Sequence, residues 1–159
     1  MKWIKIIIAG LLATLSMDLV SGPLAFIIGS APTNIHPAGA FLYNLGIEST
    51  LLAMVLHYCY GTLWAFVFVY AFNKDISVKR GVQLAIVLWI FMMLVYSPII
   101  GWGFFGVGNA ELLNNTHPLF LRSTIGYLFI TFSVHFVYGT TLGFLCTWFF
   151  KSNSDKQLM

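Results

Sequence analysis

Four apolar stretches, roughly 3–29, 48–72, 81–105 and 124–150, occupy most of this chain. Each exceeds the ~20 residues that a helix needs to cross a ~30 Å hydrocarbon core. Inside lipid a backbone N–H or C=O has no water to bond, so such stretches must satisfy their own polar groups as continuous helices. The expected fold class is therefore all-α: a polytopic integral membrane protein with four transmembrane helices. Apolar residues make up 59% of the sequence and charged residues 8%, and the mean hydropathy of +0.87 lies outside the range of soluble domains. The expectation is one transmembrane domain over 1–151 and a short polar cytoplasmic tail over 152–159. Lys2 and Lys5 give the first stretch a leader-like start. It is too long for a leader, carries Asp18 inside it and lacks a small-residue cleavage site, so an uncleaved first helix is expected.

Charge placement gives a direction. Lys2, Lys5, Lys74, Lys79, Arg80, Lys151 and Lys156 fall at the two ends and in the middle connection, and Arg122 alone falls on the other side. The positive-inside bias then puts both termini in the cytoplasm of a bacterial inner (plasma) membrane. The lipid bilayer is the expected partner, and a homo-oligomer or a larger membrane complex is compatible with it. No basic run interleaved with aromatics is present, so nucleic acid is not an expected partner. Cys59 and Cys146 lie at different depths in the second and fourth stretches and read as buried apolar thiols without a disulfide.

All four histidines belong to two copies of one pattern. Asn34-Ile35-His36-Pro37 precedes His57-x-x-Tyr60-Gly61-Thr62, and Asn115-Thr116-His117-Pro118 precedes His135-x-x-Tyr138-Gly139-Thr140. Aligning the segments that start at His57 and His135 gives five identities in twelve positions. Leu19-Val20-x-x-Pro23 is echoed by Leu94-Val95-x-x-Pro98. The expected architecture is two tandem helical-hairpin repeats, about 1–72 and 81–150. Two spans per unit give both copies the same orientation, the parallel kind of repeat.

An ionisable group inside lipid is costly, so the intramembrane ones are site candidates. At ~1.5 Å rise per residue, His57 and His135 fall roughly 13 and 18 Å deep, near the midplane, and Asp18 reaches a similar level. The 3.6-residue period places His57, Tyr60 and Gly61 on one face of the second helix and His135, Tyr138 and Gly139 on one face of the fourth. A ligand or proton site of Asp18, His57 and His135 follows, with Tyr60, Tyr138 and Tyr96 around it. It is two-fold in its histidines and asymmetric in its acid. Small residues (Gly22, Gly61, Gly139 and Gly143) mark close helix packing. Three functional readings remain open: a binding or transport protein using Asp18 and the histidines, a haem b carrier with His57 and His135 as axial ligands, and an accessory subunit whose polar residues only set packing.

In the outer connections, His36 and His117 with Asn34 and Asn115 read first as turns stopped by Pro. A metal held by the two imidazoles is the sharper alternative, and the metal assignment stays open. Gly101-x-Gly103-x-x-Gly106 spells a dinucleotide fingerprint without the strand–helix context that such a fingerprint needs. It is expected instead to break the third helix where that helix lines a cavity or packs on the other hairpin, with Trp102, Phe104 and Phe105 in an interfacial aromatic belt. Asn114-Asn115-Thr116 spells a glycosylation acceptor, relevant only to a secretory pathway. No serine triad, carboxylate pair or phosphate loop is present, which disfavours a hydrolase or a phosphoryl transferase.

In the H-x-x-Y-G of both even helices, the Pro of both odd helices and the glycine-aromatic run after the third, the chain resembles small four-helix bacterial and archaeal membrane proteins grouped as domains of unknown function. The resemblance covers nearly the whole chain. It implies a multi-pass membrane protein and supplies no mechanism.

Overall fold

The computed structural model describes residues 2–151, and the 152–159 tail expected from the sequence lies outside the described residues. The architecture is all-helical. Helix α1 (Lys2–Ile27) is followed by a short helix α2 (Pro37–Asn44) and then α3 (Thr50–Ala71). Helix α4 (Val78–Phe91) runs through a π-helical turn (Met92–Tyr96) into α5 (Ser97–Ile99), and α6 (Thr124–Lys151) closes the order. Four segments are long and apolar enough to cross a membrane: Lys2–Ile27, Thr50–Ala71, Val78–Ile99 and Thr124–Phe150. Their outer faces carry large apolar side chains, among them Leu19, Phe26, Leu51 and Ile125, each more than two-thirds exposed.

Three of the four spans start on a serine. Ser49, Ser77 and Ser123 each accept a hydrogen bond from the backbone N–H three residues on, at 3.2, 3.4 and 3.1 Å. This satisfies one of the donors that a helix start leaves open. Helix α2 is not evident in the apolar pattern. It forms because Pro37 is preset for a first helical position and His36 caps it, accepting from Ala38 N–H.

Helices α1 and α3 pack together, α4 packs on α6, and α1 also lies along α6. The interfaces are built on glycine. A Cβ on Gly10 would come within 2.8 Å of Thr62 Cα, and one on Gly81 within 2.9 Å of Gly143 Cα. The small-residue pairs Gly61/Ala65 and Gly139/Gly143 therefore mark real close approaches. Gly22 does not: it is exposed, and a Cβ there would meet nothing within 4 Å. A small residue permits close packing without compelling it, and Gly22 instead borders open space between the helices.

The third span departs most from a plain helix. In the π turn Ser97 N–H bonds Met92 O, which leaves Met93 O free. Pro98 has no N–H to give to that carbonyl, and Phe105 N–H supplies the bond at 3.2 Å. The glycine run makes the return possible, since Gly101, Gly103 and Gly106 all take positive φ. It carries Trp102 into the interior, fully buried, with its indole N–H on Leu119 O at 3.0 Å and its ring edge-on to Tyr127. Trp102 is thus a core residue and not part of an aromatic belt, while Phe104 and Phe105 are exposed. The period alone does not reveal that the chain folds back here.

Two apolar layers result. One joins Ile6, Ala9, Phe68, Leu84, Leu88, Tyr138 and Leu142 near the chain ends. The other joins Met92, Met93, Ile100, Trp102, Leu121 and Tyr127 at the far end. Lys5 Nζ reaches Phe149 O at 3.0 Å, so the start of α1 and the end of α6 share one end of the bundle. At the other end the two long connections are stitched together. Arg122 N–H bonds Pro32 O at 2.8 Å, and the Asn34 amide donates to Asn115 O and His117 O at 2.8 and 2.9 Å.

Candidate functional site

A cavity of about 740 Å³ lies between the two apolar layers, with Leu88 and Tyr138 of one and Met92 and Tyr127 of the other in its wall. It exists because contact among the helices is uneven. Helix α1 packs along α6, whereas α3 and α4 make no comparable contact, and both line the space left open. The connection 31–38 borders its outer end. Asp18, His57, His135, Tyr60, Tyr96 and Tyr138 all face this one cavity.

Within it the polar residues divide into separate groups. Asp18 Oδ1 stands 3.2 Å from His57 Nε2, and Asp18 Oδ2 accepts the Tyr58 hydroxyl at 2.8 Å. The carboxylate is therefore held at both oxygens by adjacent residues of α3. His36 turns inward from the α1–α2 connection and meets the His57 ring edge-on, with centroids 4.3 Å apart. The donor atoms of Asp18, His36 and His57 all lie within 4.8 Å of one another.

His135 stands apart from this cluster. Its Nδ1 lies 2.7 Å from Thr131 O on its own helix, one turn back. Tyr138 donates to Gly61 O at 2.6 Å, and Tyr96 to Pro37 O at 3.2 Å. Tyr60 is 45% exposed and packs edge-on against Trp64. The three tyrosines thus surround the cavity without bonding the acid, and the acid takes Tyr58 instead. Tyr58 escapes a stripe count because it sits one residue, about 100° of helix, away from His57. Its long side chain crosses that angle, and its position next to His57 is the only sequence signal for it.

The outer-loop residues also separate. His36 and His117 each accept a backbone N–H two residues on, from Ala38 at 3.3 Å and Leu119 at 3.1 Å; the second N-x-H-P element contains a turn, whereas the first is bent chain that His36 ends as the cap of α2. The His117 ring then packs on Tyr43 and lies outside the Asp18 cluster. Crowding by protein removes water from most of the His36 ring although one side stays exposed to the cavity. This desolvation, with the neighbouring His57, pushes its pKa below the ordinary imidazole value, and Asp18 partly offsets the shift. Neutral imidazole is the favoured form there.

Both cysteines are free. Cys146 is buried, but Cys59 is exposed and borders the cavity, contrary to the expectation of two buried thiols.

No family model matches this chain, and neither a curated protein nor a solved structure matches it.

Proposed function

We propose that the chain is a multi-pass membrane protein of the bacterial inner membrane that binds, and moves with proton coupling, a small and largely apolar molecule carrying one polar group. The observation that carries this reading is the single cavity into which Asp18, His57, His135, Tyr60, Tyr96 and Tyr138 all face. Its volume of about 740 Å³ falls within the ~300–1,000 Å³ typical of small-molecule sites. Its wall is mainly aliphatic and aromatic, and Asp18 is the one acidic group on it, which suits a ligand with an apolar body and a hydrogen-bonding end. A carboxylate shared between an imidazole and a phenol is a group able to exchange a proton as ligand enters or leaves.

Membrane insertion is supported by the four apolar spans and by their exposed apolar outer faces. Among the described residues Lys2, Lys5 and Arg80 gather at the end shared by the start of α1 and the end of α6, and Arg122 lies at the opposite end, as termini in the cytoplasm require. The matching imidazole acceptors at His36 and His117 favour an origin in two tandem hairpins, consistent with the small four-helix family that the motifs resemble. In that reading the repeat has diverged where the site formed, with the acid, the phenol and the inward-turned histidine all in the first hairpin.

The test is extraction of the protein purified in mild detergent, with mass spectrometry of the small molecules released. The wild type is expected to carry an apolar ligand in near-stoichiometric amount. Gly22→Trp, which fills the cavity from a position where nothing lies within 4 Å, is expected to lose it, and Asp18→Asn to hold it more weakly. Equal ligand recovery from all three folded proteins would sink the reading.

A further inference from the structure

The contact between the Asp18–His57 pair and His36 has a chemistry of its own. It joins a span, a connecting turn and a second span, and its three donor atoms lie within 4.8 Å of one another. Zinc bonds to nitrogen and oxygen are about 2.0–2.2 Å long, so two such ligands at a tetrahedral angle stand about 3.3–3.5 Å apart. His57 Nε2 and Asp18 Oδ1 are 3.2 Å apart. That separation fits a shared proton and, with little movement, a shared metal ion.

We propose that Asp18, His36 and His57 form a binding site for a divalent transition metal of the zinc class, with a coordination position facing the cavity. Two imidazoles select this class over calcium and magnesium, which prefer all-oxygen ligands. One carboxylate and two neutral imidazoles offset half of the ion's charge, which suits a site bordered by apolar wall. Three protein ligands with one open position is the arrangement of sites whose metal meets a further molecule, in contrast to closed four-ligand structural sites. All three residues line the cavity, so a polar group of its occupant has access to that position. The inference stands without the small-molecule reading, since metal binding is measured by itself.

The surroundings supply what such a site needs beyond its ligands. Tyr58 holds Asp18 Oδ2 at 2.8 Å and fixes the carboxylate's orientation, the part usually played by a neighbour behind a metal ligand. His57 is held by the carboxylate through Nε2. As the metal takes that nitrogen's lone pair, the ring proton moves from Nε2 to Nδ1 and no net proton is lost from the ring. A neutral imidazole offers one lone pair, and that of His36 is spent on a long 3.3 Å contact with Ala38 N–H. Coordination therefore replaces this contact, and the metal competes with the cap of α2. His117, whose ring nitrogen makes the equivalent turn bond but which packs on Tyr43, has no part in the site.

The experiment uses the untagged full chain in mild detergent, stripped with a chelator and titrated with Co²⁺ as a visible stand-in for Zn²⁺. One saturable equivalent is expected, with the absorption of four- or five-coordinate cobalt, bleached by Zn²⁺ and not by Mg²⁺. His36→Ala and His57→Ala are expected to weaken binding by about 100-fold or more, and Tyr58→Phe by about tenfold. His117→Ala is expected to bind like the wild type. No cobalt absorption from folded wild-type protein would overturn the site, as would undiminished affinity in His36→Ala. Should His57→Ala fail to fold, the exposed His36 position decides the matter alone.

Discussion

Tyr138 gives its hydroxyl to the carbonyl of Gly61 at 2.6 Å, a bond from the fourth span to the second that has no mirror image. The two residues belong to the two H-x-x-Y-G copies, so a symmetric pair of hairpins would also join Tyr60 to Gly139. Instead Tyr60 is 45% exposed in the cavity, and Gly139 is packed against Gly81 and Ala85 of α4. One tyrosine closes the bundle and its counterpart lines the opening. The same imbalance sets α1 along α6 while α3 and α4 stay apart.

Removal of the two hydroxyls is therefore expected to have unequal effects. Tyr138→Phe loses a buried interhelical bond worth about 0.6 kcal/mol on average and up to ~1.7 kcal/mol in membranes. Tyr60→Phe loses no interhelical bond. Thermal unfolding in detergent, compared for the two variants, should show a lowered midpoint for the first and none for the second. Equal shifts would mean that the Tyr138–Gly61 bond does not tie the spans.

The glycines should divide in the same way. A Cβ on Gly81 would run into the Gly139 carbonyl oxygen and lie 2.9 Å from Gly143 Cα, backbone that cannot turn aside. Gly81→Ala is expected to cost ~1–3 kcal/mol or more and to loosen α4 from α6. At Gly22 a Cβ meets nothing within 4 Å, and alanine gains up to ~1 kcal/mol of helix propensity. Gly22→Ala should therefore melt at or above the wild-type temperature, and a large loss there would show that α1 has a partner on that face.

Thiol reactivity reports the cavity directly. Cys59 is exposed at its edge and Cys146 is buried. A small maleimide should modify one thiol per folded chain, abolished by Cys59→Ala and unchanged by Cys146→Ala. Modification of Cys146 at the same rate would contradict the packing of α6.

Haem is expected to be excluded by the commitments of His57. Asp18 lies 3.2 Å from its Nε2 and the His36 ring stands edge-on, 4.3 Å from its own, which crowds the ring too closely for a flat macrocycle though not for a single ion. Protein expressed with haem supplied should be colourless as isolated and after dithionite. A Soret band lost in both His57→Ala and His135→Ala would reverse this assignment.

The number of the apolar spans, the shared level of Asp18 and His57 along the bundle and the glycine seams at Gly61 and Gly139 were legible in the sequence. Each depends on a local period or on a length measured against a bilayer, and those quantities are fixed by residues close together in the chain. Only the tertiary structure decided which histidine meets the acid, that Tyr58 rather than Tyr60 holds it, and that His36 turns in to join them. It also placed Trp102 in the core and left Gly22 and Cys59 open. Those outcomes depend on which helix pairs come close and on how the capped turns and positive-φ glycines direct the connections. The two hairpins carry nearly the same motifs, so the sequence pattern alone weights them equally. Unequal packing of α1 on α6 and of α3 beside α4 breaks that balance and makes the site.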